Sequence, residues 1–230
     1  WADDASDFRQ TLQLAEQGNA KAQFVLGLMY HIGQGVRQDY AEALRWYRQA
    51  AEQGFTSAQY NLGNMYETGR GVRQDDAEAF RWYRQAAEQG DATAQHNLGN
   101  MYLNGRGVRQ DYAEAFRWYR QAAEQGNATA QFNLGVMYDN GDGVRQDYAE
   151  ALRWYRKAAE QGNAKAQLNL GMMYANGQGV RQDNVEALRW YRQAAEQGNA
   201  KAQFNLGAMY HNGQGVRQDL HLSKEWFGKA

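Results

Sequence analysis

The chain has 230 residues, no cysteine and no proline, and sets 25 Lys and Arg against 26 Asp and Glu for a formal net charge of −1. Disulfides and thiolate metal sites are excluded by composition. A nucleic-acid binder carries a basic excess or a basic face, and no excess exists here; no run of about 18 apolar residues is present to cross a bilayer.

The first residue is Trp1, not Met. Removal of an export signal would explain that, and so would trimming; an exported, periplasmic or secreted protein is expected, with a cytoplasmic one as the alternative. Residues 1–18 read as a degenerate half-repeat, because Leu14-Ala15-Glu16-Gln17-Gly18 closes them as the later units close. A 36-residue period then takes over. Trp46, Trp82, Trp118, Trp154, Trp190 and Trp226 keep that spacing, as do six glutamines from Gln23 to Gln203. The units are 19–54, 55–90, 91–126, 127–162, 163–198 and 199–230, the last four residues short. Of 25 glycines, 24 fall at unit positions 9, 15, 17 and 36. With no linker between units, one continuous domain is expected over 19–230.

Within a unit, positions 2–14 predict a helix, for instance residues 20–32, whose Ala22, Leu26 and Met29 form a helical apolar stripe. Gly33 and Gly35 stop it, since glycine tolerates the left-handed conformation of a helix end. Asp39 starts a second helix, and Asp39-x-x-Glu42 has capping-box spacing. Tyr40, Ala43, Leu44, Tyr47, Ala50 and Ala51 share its apolar face, with Trp46 at the margin, placed to cover the next unit. Arg45 and Arg48 share the polar face with Glu42 and Glu52, a charge-balanced solvated surface rather than a phosphate ladder. Gly27 costs helix propensity in mid-helix, so its recurrence predicts close helix–helix contact. One helix pair cannot bury both of its faces, whereas stacked pairs share a core. The fold class expected is all-α, a right-handed α/α solenoid of antiparallel helix pairs.

The pattern AxAQxxLGxMYxxGxGVRQDxxEAxRWYRxAAEQG, over about residues 19–228, resembles the Sel-one-like repeat family, a relative of the tetratricopeptide repeat. It is carried in the first unit by Ala20, Ala22, Leu26-Gly27, Tyr30, the Gly33-x-Gly35-Val36 loop, Asp39, Ala43, Trp46-Tyr47, Ala50-Ala51 and Gly54. The resemblance implies a superhelix whose first helices line a concave face, and a role as adaptor or scaffold for other proteins. Some bacterial members are exported, and some act at the host interface. Two departures stand out: the disulfides of cysteine-rich members are missing, and Leu220-His221-Leu222 replaces the usual Tyr-Ala-Glu.

Copies within the chain differ chiefly at positions 3, 6, 10 and 13 of the first helix, which fall within about 80° of one another on one stripe. The same places line the ligand groove in the tetratricopeptide relatives. The candidate partner-binding residues are Lys21, Phe24, Leu28 and His31; Tyr60, Asn64 and Glu67, with Ser57; His96, Asn100 and Leu103, with Thr93; Phe132, Val136 and Asp139, with Thr129; Lys165, Leu168 and Met172, with Ala175; and Lys201, Phe204 and His211, with Ala208. Asn61, Asn97, Asn133, Asn169 and Asn205 run along the edge and are suited to hold an extended peptide backbone. An alternative for position 6 is packing between first helices without meeting a ligand. Apolar with scattered charges of both signs, the stripe suits a protein or peptide partner.

GQGVRQD follows a helix and lacks the third glycine of a dinucleotide loop, and its aspartates and glutamates recur as caps and surface charges. The four histidines, His31, His96, His211 and His221, have no neighbour at ligand spacing. No catalytic residue, cofactor or metal is therefore expected, nor nucleic acid or membrane insertion. A glycan or surface-adhesion module is the alternative, and a cell-wall hydrolase the less favoured one.

Overall fold

A computed structural model describes residues 2–230 in two compact units, one ending at Asp111 and one spanning Tyr112–Ala230. The described residues form thirteen helices and no strand. The first unit holds α1 (Ala2–Glu16), α2 (Ala20–Ile32), α3 (Tyr40–Glu52), α4 (Thr56–Thr68), α5 (Asp76–Glu88) and α6 (Ala92–Asn104). The second holds α7 (Tyr112–Glu124), α8 (Ala128–Asn140), α9 (Tyr148–Glu160), α10 (Ala164–Asn176), α11 (Asn184–Glu196), α12 (Ala200–Asn212) and α13 (Leu220–Lys229). Within each unit every helix packs on the next in sequence, so helix pairs stack with the 36-residue period.

The helix ends follow local chemistry. Asn19 begins α2, its side chain accepting from the Ala22 N–H at 2.8 Å; Asp91, Asn127, Asn163 and Asn199 do the same for α6, α8, α10 and α12. Phe55, at the start of α4, makes no such bond and instead packs its ring 5.2 Å from Phe24. Gly33 ends α2 at φ 75°, where a side chain would be strained. The second loop glycine also meets a steric demand: a Cβ on Gly71 would lie 2.5 Å from the Tyr40 carbonyl oxygen, so the loop of one repeat rests on the start of the preceding second helix.

The capping box is half made. Asp39 accepts from the Glu42 N–H at 3.2 Å, but its own N–H donates to the Tyr30 carbonyl at 2.9 Å, so Glu42 has nothing to reach back for. Glu42 pairs with Arg45 instead. The same backbone bond closes the later loops, from Asp75 to Tyr66 through Asp219 to Tyr210. Loop glutamines add a second clasp: Gln38 and Gln146 donate to the carbonyls of His31 and Asp139 at 2.8 and 2.7 Å.

The core repeats with the sequence. Ala43, Tyr47, Ala50, Leu62 and Tyr83 are fully buried in the first unit, and Ala151, Tyr155, Ala158, Leu170 and Ala187 in the second. Gly27 sits against the Tyr47 ring, where a Cβ would lie 2.5 Å from Cδ1; Gly63, Gly135 and Gly171 repeat the fit against Tyr83, Tyr155 and Tyr191. The expected close approach is therefore real, and its partner is the tyrosine of the same repeat's second helix. Trp46 departs from expectation. It is not marginal but 4% exposed, and it belongs to a cluster with Ala15, Ala22, Leu26 and Met29, packing back toward α1 and α2.

The buried glutamines hold the stack. Gln59, 2% exposed, donates to the Ala51 carbonyl closing α3 at 3.2 Å and lies 3.3 Å from Gln85 Oε1. Gln89 in turn donates to Gln59 Oε1 at 2.7 Å and to the Gly54 carbonyl at 3.0 Å. Carbonyls orphaned at a helix C-terminus are thus satisfied by side chains from the next repeat. In the second unit Gln167 and Gln197 reproduce the arrangement on Ala159 and Gly162.

Candidate first-helix binding face

The stripe residues stand on α2, α4 and α6 in the first unit and on α8, α10 and α12 in the second. Position 3 is open throughout: Lys21, Ser57, Thr93, Thr129, Lys165 and Lys201 are all exposed. Position 6 is partly spent on the fold. Phe24, Tyr60 and Phe132 are half-buried, with ring centroids 5.9, 5.8 and 5.9 Å from Tyr47, Tyr83 and Tyr155. Leu168 is 8% exposed and belongs to the core, whereas Phe204 is 55% exposed beside Phe227. The packing that Phe24, Tyr60 and Phe132 make is on the second-helix tyrosine of their own repeat.

Positions 10 and 13 lie at the surface. Leu28, Asn64, Asn100, Val136, Met172 and Ala208 are half-buried, as are His31, Glu67, Leu103, Asp139 and Ala175, and His211 is exposed. The edge asparagines Asn61, Asn97, Asn133, Asn169 and Asn205 are also half-buried. Asn61, Asn169 and Asn205 face the hydroxyls of Tyr47, Tyr155 and Tyr191, each in the preceding repeat. Their first duty is to those hydroxyls, which the sequence did not reveal.

Each compact unit has a hollow on this stripe. One, of about 330 Å³, lies between repeats 1 and 2 and is lined by Leu28, His31, Ile32, Tyr47, Tyr60, Asn61 and Asn64. The other, of about 250 Å³, lies between repeats 5 and 6, with Ala175, Asn176, Asn184, Tyr191, Asn205, Ala208 and Gln214 on its walls. A larger hollow of about 600 Å³ lies off the stripe, between Asp4, Ala5 and the Gly33–Val36 loop.

The electrostatics are those of a neutral surface. Burial pushes Tyr47 and Tyr191 up to about 12, and Tyr83 and Tyr155 still higher, so these phenols stay protonated. Burial, and then Arg70, holds the His31 imidazole below its ordinary value; its Nδ1 lies 3.4 Å from the Tyr47 hydroxyl. Burial likewise lowers His96. Burial raises Glu67, opposed by Arg106, which also reaches Asp76 at 3.3 Å and so clasps repeat 3 to repeat 2. Among the described residues no three acidic or histidine side chains gather as metal ligands, and no helix is long and apolar enough to cross a membrane.

The arginines of the second helices are occupied by neighbours. Arg81, Arg117, Arg153 and Arg189 pair with the glutamate three residues before them at 3.1–3.5 Å and lie over the adjacent tryptophan at 4.7–5.1 Å. Arg48, Arg156 and Arg192 reach across instead, over Tyr66, Tyr174 and Tyr210 of the following repeat. The local ion pairs are present, and the cross-repeat stacking is an addition to them.

The Sel1 repeat model matches residues 20–55, 56–91, 92–127, 128–163, 164–199 and 200–230. The chain belongs to the Sel1 repeat family. Its Sel1 repeats begin one residue after the units read from the tryptophan spacing. Solved structures carry the same likeness. The crystal structure of c5321, a protective antigen present in uropathogenic Escherichia coli strains displaying an SLR fold, is 46% identical with a TM-score of 0.93. That match covers 96% of this chain and 48% of the other, so the chain spans about half the length of that relative. A Sel1 repeat protein from Oxalobacter formigenes is 36% identical with a TM-score of 0.80, over 98% and 96% of the two chains. No curated protein sequence matches significantly.

Proposed function

We propose that the chain is a non-enzymatic scaffold that holds a protein or peptide partner on the first-helix face. The observation that carries this reading is the coincidence of variation with accessible space. Residues that differ between otherwise uniform repeats gather on one stripe, and each compact unit has a hollow on it. Family members are mostly adaptors, and a varied surface on a uniform frame is how such a frame acquires specificity. A glycan reading asks for a row of exposed ring faces, but Phe24, Tyr60 and Phe132 are half-buried against tyrosines and Phe204 alone of these position-6 rings is exposed, so the protein reading is preferred. No catalytic step is proposed: the stripe's tyrosines are held neutral, and its charged groups are dispersed along it. Placement in the periplasm or outside the cell is part of the proposal, in keeping with c5321 being a protective antigen.

The test is affinity capture from source-cell and host-cell lysates, with wild type beside an Asn64→Arg, Ala208→Arg variant. Both substitutions fall at position 10, where Leu, Asn, Val, Met and Ala all occur, so the helices tolerate change there. A protein captured by wild type and lost from the variant supports the reading. Equal capture by both moves the site off this face.

A further inference from the structure

We infer that the hollow between repeats 5 and 6 is a pocket for an uncharged amide, namely a glutamine or asparagine side chain of the partner. This rests on the first-helix reading above and deepens it.

A hollow also lies between repeats 1 and 2; what sets this one apart is its lining, where repeat 5 breaks the pattern. Position 22 is Tyr40, Asp76, Tyr112 and Tyr148 in repeats 1 to 4 and Asn184 in repeat 5. In repeats 1 and 4 the loop glutamine also meets that tyrosine: Gln38 and Gln146 lie 3.2 Å from the Tyr40 and Tyr148 hydroxyls. In repeat 2, Gln74 donates to Asp76 at 2.7 Å. Repeat 5 keeps only the other half of this device, with Gln182 donating to the Ala175 carbonyl at 3.0 Å. Asn184 places a carboxamide on the wall of this hollow, where repeats 1 to 4 carry a phenol or a carboxylate.

Its walls are unlike the rest of the stripe. Asn176, Gln182, Asn184, Asn205 and Gln214 bring five carboxamides to about 250 Å³, with Tyr191 behind them and no charged side chain. That is room for roughly eight water-sized atoms. Gln182 and Asn205 already serve the Ala175 carbonyl and the Tyr191 hydroxyl, so Asn176, Asn184 and Gln214 are the ones that meet a guest. A carboxamide carries two N–H donors and a carbonyl acceptor, so the walls pair best with a group offering both. A carboxylate or ammonium would give up its hydration with no opposite charge to meet it, which penalises charged side chains. Tyr191 is 5% exposed, so no ring face is available for a sugar to stack on. A primary amide satisfies the hydrogen bonds, the neutrality and the size together.

The test is an NMR titration of the full 15N-labelled chain with capped Ala-Gln-Ala, capped Ala-Glu-Ala and maltose as probes. The same series is run on Asn184→Tyr, which restores the residue of repeats 1, 3 and 4 and so is compatible with the fold. The glutamine peptide should shift the side-chain amides of Asn184 and Gln214 saturably. Binding should weaken at least tenfold with the glutamate peptide and at least tenfold in N184Y. No shift at those amides, equal response to the glutamate peptide, indifference to N184Y, or saturation by maltose alone would each overturn the assignment. If lysate capture persists while the tripeptides fail, only this pocket is wrong. If the tripeptide result holds while capture is lost from no groove variant, the wider reading is wrong.

Discussion

Gly135→Ala sets two principles against each other. Gly135 lies in the middle of α8, where alanine is worth about 1 kcal/mol over glycine on helix propensity alone. By that rule the variant gains stability. The structure says otherwise. A Cβ at Gly135 would lie 2.6 Å from Tyr155 Cδ1 and 2.7 Å from Cε1, while carbon pairs rest at about 3.5–4.0 Å, so ring or helix must yield by about 1 Å. The ring has little freedom: Tyr155 is 1% exposed, Phe132 lies against it at 5.9 Å, and its hydroxyl is bound to Asp139 at 3.2 Å. Overfilling a packed core costs about 1–3 kcal/mol, so after the propensity gain a net loss of about 1 kcal/mol is expected. Urea unfolding followed by circular dichroism reads this as a lower midpoint with an unchanged slope. In a Tyr155→Leu background the same change should become neutral or stabilising, a coupling of more than 1 kcal/mol in the double-mutant cycle. A G135A midpoint above wild type, with no coupling to position 155, would refute the packing argument.

Gln59→Met keeps the side-chain length but removes the amide shared by Ala51, Gln85 and Gln89; a loss of about 1–3 kcal/mol is expected in the same unfolding assay, where an unchanged midpoint would show that the glutamines are passengers. His96 gives a pH dependence. Burial lowers its folded value, so the unfolded chain binds the extra proton first, and stability is lost as pH falls below the ordinary imidazole value of about 6.5. His96→Phe, the residue of repeats 1, 4 and 6 at that position, should flatten the slope of stability between pH 7 and 5. Glu67 has the opposite sign. Burial raises its folded value, so its contribution is present in acid and lost as pH rises through that value, and Glu67→Gln should remove that decline. Arg106 opposes the burial, which keeps this effect small.

The helices were legible because their signals are local. Asp39, Gly33 and the apolar stripe of 20–32 act within a few residues of where they stand, and the boundaries of α2 and α3 match the pattern. What escaped sequence reading depends on contacts with other helices, further along the chain than a local pattern reaches. Gln23 was visible only as a spacing, because its partners are Ala15 before it and Gln49 and Gln53 after it. Trp46 was placed at a margin because a helical wheel shows one helix, not the pair it packs back on. For the same reason Asn61 read as an edge residue suited to a peptide backbone, when its neighbour is the Tyr47 hydroxyl, and Phe24 as lining the groove or packing between first helices, when its ring lies on Tyr47. The stripe itself was legible through variation among the six copies; how much of each side chain the fold already uses was not.

The central claim is that the first-helix face meets the partner. The most direct measurement places a photo-crosslinking benzoylphenylalanine at Asn64 or Ala208 on that face, and at Arg81 or Arg189 on the second helices, in otherwise unaltered protein. Irradiation in source-cell or host-cell lysate should give a discrete protein adduct from positions 64 and 208 and none from positions 81 and 189. Adducts from positions 81 and 189 alone, or from all four alike, would contradict the account.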